Sequence, residues 1–124
     1  MSPVQRREFL AAAGAATVFA SQASAQPVRV GVVGVGNRGK AHVRMLLDLP
    51  GVEIPALCDI RAENLQAAQA MVEAVGRKKP EGYTRGPEDF RRMVAREDLD
   101  AVLTATPWEW HTPVAVAAMK AGKY

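Results

Sequence analysis

Residues 28–42 read VRVGVVGVGNRGKAH. Val28 to Val33 is a β-branched run ended by glycine, the pattern of a buried strand. Gly34, Gly36 and Gly39 follow as a G-x-G-x-x-G loop, and Lys40 to Leu49 carries Val43, Leu46 and Leu47 as a helix until Pro50-Gly51 stops it. The glycine spacing alone is weak, because glycines are common in turns. Between a strand and a helix it gains meaning. The first glycine permits the tight turn, the second lets a pyrophosphate approach the backbone, and the third lets helix pack on strand. The helix start then offers phosphate free N–H groups and a partial positive charge.

The second strand, Val52 to Cys58, ends at Asp59, 20 residues beyond Gly39. A carboxylate there can accept both hydroxyl protons of an adenosine ribose and would repel a 2′-phosphate, which favours NAD over NADP. Arg38 and Arg61 pull the other way, since either could pair with that phosphate. Asp59 could equally cap the helix that follows, and the two roles are compatible. In the loop, Asn37 could bond ribose or pyrophosphate; Arg38 could stack on adenine, pair with phosphate, or simply be solvated. His42 reads as a surface or packing histidine.

Beyond Asp59, Ala62 to Val75 is a helix with Leu65, Ala68, Met71, Val72 and Val75 on one face. A polar loop runs to Gly82, and Tyr83-Thr84 is a short third strand. Pro87 opens a third helix at its first position, with Glu88 and Asp89 in its first turn. Ala101 to Ala105 is a fourth strand, and Thr112-Pro113 starts a last helix that Gly122 caps. The order β-α-β-α-β-α-β-α predicts an α/β fold, a Rossmann-type doubly wound parallel sheet. A fifth strand is expected to begin at Tyr124, so the expected sheet is truncated before its later strands.

In such a sheet ligands lie outside the carboxyl ends of the strands. The stretch TATPWEWHTP, residues 104–113, leaves the fourth strand on the same edge as the glycine loop and holds both tryptophans of the chain. Trp108 and Trp110 offer flat apolar walls, each with one N–H, and His111 could donate a hydrogen bond or shuttle a proton near neutral pH. The alternative is that the indoles cap the core and His111 caps the helix.

The first 25 residues stand apart. Arg6-Arg7 precede Phe9-Leu10, the apolar run AAAGAATVFA, and an A-S-A site before Gln26. This is the layout of a secretory leader, with the arginine pair of a twin-arginine signal; an ordinary export signal with incidental arginines is the alternative. The apolar run is too short to span a bilayer. Residues 26–124 form the dinucleotide-binding domain. The formal net charge is +3, with scattered basic residues and no stripe that would mark a nucleic-acid binder. Arg77-Lys78-Lys79 reads as a solvated loop. Cys58 is the only cysteine, which excludes an intrachain disulfide, and no metal ligands are assigned.

The stretches GVVGVGNRGKAH, ALCDIRAENLQAA and DLDAVLTATPWEWHTPVAVAAMKAGKY strongly resemble the N-terminal domain of the Gfo/Idh/MocA oxidoreductase family, over residues 28–124. The combination of GNRG, a strand-two Asp and a WEWH turn is similar to its glycoside hydrolase family 109 branch, which is α-N-acetylgalactosaminidase-like and keeps NAD bound through turnover. The resemblance implies that Asn37, Arg38, Asp59, Trp108, Glu109, Trp110 and His111 contact NAD, beside the loop glycines Gly34, Gly36 and Gly39. It implies oxidation of the sugar C3 hydroxyl, elimination of the aglycone, hydration and return of the hydride. It also implies a C-terminal α+β domain carrying the sugar or glycoside site, possible homo-oligomers, passage through the twin-arginine translocase, and a periplasmic or secreted location. A sugar or polyol dehydrogenase, whose family pattern continues into an E-K-P motif beyond Tyr124, and a non-catalytic dinucleotide-binding module are the alternatives.

Overall fold

The computed structural model describes residues 25–124; the expected leader lies outside them, apart from Ala25. Four strands, β1 (Val28–Val33), β2 (Val52–Cys58), β3 (Glu81–Tyr83) and β4 (Ala101–Thr104), form one sheet in the order β3-β2-β1-β4. All three pairings are parallel. The helices are α1 (Asn37–Leu47), α2 (Ala62–Ala74), α3 (Phe90–Val94) and α4 (Trp108–Lys120). The α/β doubly wound sheet expected from the residue pattern is therefore the observed fold.

Two apolar layers hold it. On one face Val30, Val32, Ile54 and Leu57 pack with Val43 of α1 and with Leu65, Ala68 and Val72 of α2. On the other, Val33, Ala56 and Cys58 pack with Phe90 and Met93 of α3 and Val114 of α4. The chain winds outward from β1 to β3 and then returns to place β4 on the other side of β1. The direction of winding reverses between β1 and β4. In open sheets that reversal opens a crevice at the strands' carboxyl ends.

Pro55 lies inside β2, an interior strand where a missing N–H would break the ladder. The register answers this: Arg29 faces Glu53, but Gly31 faces Ala56, so β2 carries one extra residue there. Ile54 and Leu57 consequently share a face although they are an odd number of residues apart.

Several boundaries differ from the sequence expectation. Strand β3 begins at Glu81, because Gly82 is a strand residue whose missing side chain admits Leu65; a Cβ would lie 2.7 Å from Leu65 Cδ2. Residues 87–89 make turns, and α3 starts only at Phe90, with Asp89 Oδ2 accepting from the Arg85 amide rather than supporting a longer helix. The first turns of α1 and α4 include residues expected in loops, with consequences for the site below. Tyr124 donates its amide N–H to Asp100 O and accepts from the Val102 N–H, a parallel pairing on β4. None of the helices among the described residues is long and apolar enough to cross a membrane.

The start of β1 is tied to the start of β4 by Arg29 and Asp100. The guanidinium donates to both carboxylate oxygens, and the Arg29 amide adds a third bond. These bonds, the Arg29 side chain first, hold the Asp100 carboxyl down at about 2. A depressed carboxyl stabilises the fold above its unfolded value of about 3.9, and that contribution disappears as pH falls through the folded value. Stability should therefore decline between about pH 4 and about pH 2, and in Asp100→Asn that part of the decline should flatten. Thermal melts across the acid range would read this; identical slopes in the two proteins would remove the assignment.

Candidate functional site

At the carboxyl edge of the sheet β1 turns into α1 on one face while β4 turns into α4 on the other. Gly34 sits at the fork with φ +83°, and a Cβ there would lie 2.8 Å from the Ala105 carbonyl carbon. Only glycine satisfies both the left-handed backbone and the close approach. A groove of about 430 Å³ opens at this fork, lined among others by Gly34, Gly36, Asp59, Asn64, Thr106 and Trp110. That volume falls within the range of small-molecule pockets.

Helix α1 begins at Asn37, three residues before the sequence expectation, because the Lys40 amide already bonds to Gly36 O. Asn37, Arg38 and Gly39 are thus the first turn, whose amide N–H groups have no acceptor within the helix. No side chain caps this end, and no acid stands in its first turn. The positive end of the helix is left uncompensated by its own sequence. Gly36 presents the complementary shape. A Cβ on it would meet nothing nearer than Asn64 Nδ2 at 3.9 Å. Gly39 is different, since a Cβ there would stand 1.8 Å from Gly34 O. The third glycine serves packing; the second keeps open a bay that the protein itself does not fill. The bay fits a diphosphate.

Asp59 is buried at the end of β2, and both of its oxygens are engaged. Oδ2 accepts from the Val35 amide at 2.9 Å and Oδ1 from the Arg61 amide at 2.8 Å. The carboxylate therefore ties the glycine loop to the approach of α2. Each oxygen keeps a second lone pair and so can accept one further hydrogen bond. The neighbouring Cys58 thiol is pushed up to about 12, first by burial and then by the Asp89 and Asp59 charges. It stays protonated at neutral pH and is no nucleophile.

The WEWH residues are the first turn of α4, not a loop before it. Pro107 precedes them with its φ locked at −53°, and the Trp110 amide closes back on Pro107 O at 3.0 Å. Pro113 falls inside the helix, where it has no N–H to donate to the Glu109 carbonyl and its ring crowds that carbonyl. Trp110 turns toward the sheet and meets Phe90 edge to face, with centroids 6.0 Å apart. It lines the groove while also closing the core, as does Phe90. Trp108 is 89% exposed. His111 is exposed and its Nε2 lies 2.7 Å from Thr106 O. The carbonyl can only accept, so Nε2 carries a proton.

Of the residues singled out in the sequence, Gly34, Gly36, Asp59, Arg61, Glu109 and Trp110 line one groove. Gly39 is buried beneath it, while Asn37, Arg38, Trp108 and His111 are exposed around it and are not part of its wall. Asn64, Pro87 and Phe90 line it without having been singled out. Asn64 was legible in principle as a polar residue in the first turn after the Asp59 loop; Pro87 and Phe90 depend on tertiary packing. A larger depression, about 830 Å³, lies at the opposite edge of the sheet. Its arginines are already engaged: Arg77 donates to Leu47 O and Val52 O, and Arg96 pairs with Glu81 and Asp98.

The groove at the fork, the uncompensated helix start and the open bay at Gly36 lie together at the carboxyl edge of the sheet. A family model described as an oxidoreductase family with an NAD-binding Rossmann fold matches residues 28–124. The chain belongs to the Gfo/Idh/MocA family. Among Gfo/Idh/MocA relatives, a glycosyl hydrolase family 109 protein of Saccharopolyspora erythraea is 44% identical over 99 residues, covering 80% of this chain and 22% of the relative. One of the same description from Shewanella baltica is 36% identical over 151 residues, covering 100% of this chain and 33% of the relative. The chain thus spans between about a fifth and a third of the curated relatives it matches. Scyllo-inositol dehydrogenase from Lactobacillus casei, solved with NAD(H) and scyllo-inositol, superposes with a TM-score of 0.66 at 27% identity, over 80% of this chain and 27% of that one.

Proposed function

We propose that this chain is the NAD-binding part of an exported Gfo/Idh/MocA glycosidase acting on α-N-acetylgalactosaminide-like sugars. The bay at Gly36 carries the cofactor half of this reading. The similarity to glycosyl hydrolase family 109 proteins supports the glycosidase half. The chemistry NAD supplies when bound is reversible hydride acceptance, and the protein contributes binding and orientation. The amides of Asn37, Arg38 and Gly39 hold the diphosphate. Asp59 accepts ribose hydroxyls with its remaining lone pairs, favouring NAD over NADP. Trp110, with Trp108, Glu109 and His111 around it, borders the nicotinamide end. Residues 1–25 act as a twin-arginine leader that engages its translocase after folding, and residues 26–124 as the dinucleotide domain. The location is periplasmic or secreted, the sugar site lies on a C-terminal domain, and copies can associate.

A cofactor reduced and reoxidised within one turnover needs no exchange with a cytoplasmic pool, which is why export and a glycosidase reaction suit each other. The second reading is a sugar or polyol dehydrogenase, favoured by the resemblance to scyllo-inositol dehydrogenase. Assay of the full-length protein separates them. The expected result is release of aglycone from an α-N-acetylgalactosaminide without net NADH. Stoichiometric NADH would establish the dehydrogenase instead, and NAD binding with neither activity would leave a binding module.

A further inference from the structure

Asn64 is the third residue of α2, half-buried, with its carboxamide opening on the groove. Two nearby polar side chains are engaged elsewhere, while the Arg61 guanidinium, also on the groove, makes no bond among the described residues. Asp59 accepts from the Val35 and Arg61 amides, and Gln69 donates to Pro80 O. Asn64 takes part in none of these bonds. Its Nδ2 is instead the nearest atom to the open side of Gly36, 3.9 Å from the point a Cβ would occupy. The bay therefore has two walls of different kinds. One is the backbone of the α1 first turn; the other, at Gly36 itself, is the neutral Asn64 donor brought in by α2.

We propose that Asn64 is a binding residue for the dinucleotide's diphosphate, donating from Nδ2 to the oxygen that lies against Gly36. This rests on the dinucleotide reading of the groove. An oxygen using the space beside Gly36 needs to approach Nδ2 by only about 1 Å more than a Cβ would to reach hydrogen-bond distance. The residue type suits the task. Asparagine is short, so little rotamer freedom is lost on binding, and a neutral amide donates without adding charge beside Asp59. A carboxylate at the same position would face the diphosphate with the wrong sign. The bond also links the starts of α1 and α2 through the ligand, so that the loop after β1 and the loop after β2 close on one group.

Binding of NAD, ADP-ribose and adenosine to the full chain, followed by quenching of Trp108 and Trp110 fluorescence or by calorimetry, tests this. Asn64→Ala should weaken NAD and ADP-ribose by about tenfold or more, the effect of one hydrogen bond to a charged group. Asn64→Asp, nearly the same shape, should weaken them further. Adenosine, which has no diphosphate, should bind Asn64→Ala as it binds the unaltered chain, and the melting temperatures should stay close. Unchanged NAD and ADP-ribose affinity in Asn64→Ala overturns the proposal. So does an equal loss for adenosine, which would place the contact on the nucleoside. If the unaltered chain binds none of the three, the dinucleotide reading itself fails and takes this inference with it.

Discussion

Gly39→Ala is expected to unfold the chain at a much lower temperature, although alanine is the better helix former. Gly39 is a residue of α1, where replacing glycine by alanine ordinarily gains about 1 kcal/mol. Here the new Cβ would stand 1.8 Å from Gly34 O and 2.7 Å from Gly34 C. Both are backbone atoms, and Gly34 is fixed from the other side by Ala105 and Thr106. No side chain can turn away to make room. Either α1 lifts off the sheet, losing the packing of Val43, or the turn after β1 distorts. Overpacking of this kind costs about 1–3 kcal/mol and more where nothing can yield. The clash therefore outweighs the helical gain. With about 4–8 °C lost per kcal/mol in a domain of this size, a fall on the order of 10 °C follows. A melting temperature equal to or above that of the unaltered chain would show that α1 and β1 do not approach as described.

Gly36→Ala should do the reverse: leave the fold alone and remove the ligand. Gly36 has φ −70°, which suits any residue, and its Cβ would meet only Asn64 at ordinary contact distance. Stability should change by no more than about 1 kcal/mol, the preference of a helix N-cap for glycine over alanine. The methyl group would stand where the diphosphate approaches the α1 amides. Losing one charge-assisted bond there costs about 1.5–3 kcal/mol, so NAD affinity should fall by roughly 10- to 100-fold. Titration with NAD alongside a melting curve reads both quantities. If affinity is kept, the bay is not where the diphosphate sits; if stability falls by more than this, the glycine is a packing residue like Gly39.

The contrast between these glycines shows how far the sequence could be read. Their spacing placed the turn, the bay and the close approach in the right order, because each follows from what a missing side chain permits. Strand count, sheet type and the shared edge of Gly34, Asp59 and Trp110 were legible for the same reason: alternating β-branched and helical stretches leave few topologies. The starts of helices were less legible. A proline at 113 resembles a helix start, but Pro107 had already turned the chain, so Trp108 to His111 became helical. Pro87 misled in the same way, since Asp89 was drawn to Arg85 and Arg92 instead of extending α3. Pro55 gave no hint of the extra residue in β2, which is visible only in the pairing with β1. The division of labour between the indoles, Trp110 against Phe90 and Trp108 in solvent, depends on a partner twenty residues away in sequence.

The account stands or falls on where a dinucleotide's diphosphate rests. A crystal structure of the full-length protein with NAD measures that directly. It should place diphosphate oxygens within hydrogen-bond distance of the amide N–H groups of the α1 first turn, over Gly36, with Asp59 beside the adenosine ribose. NAD bound elsewhere, with Gly36 still facing solvent, would contradict it.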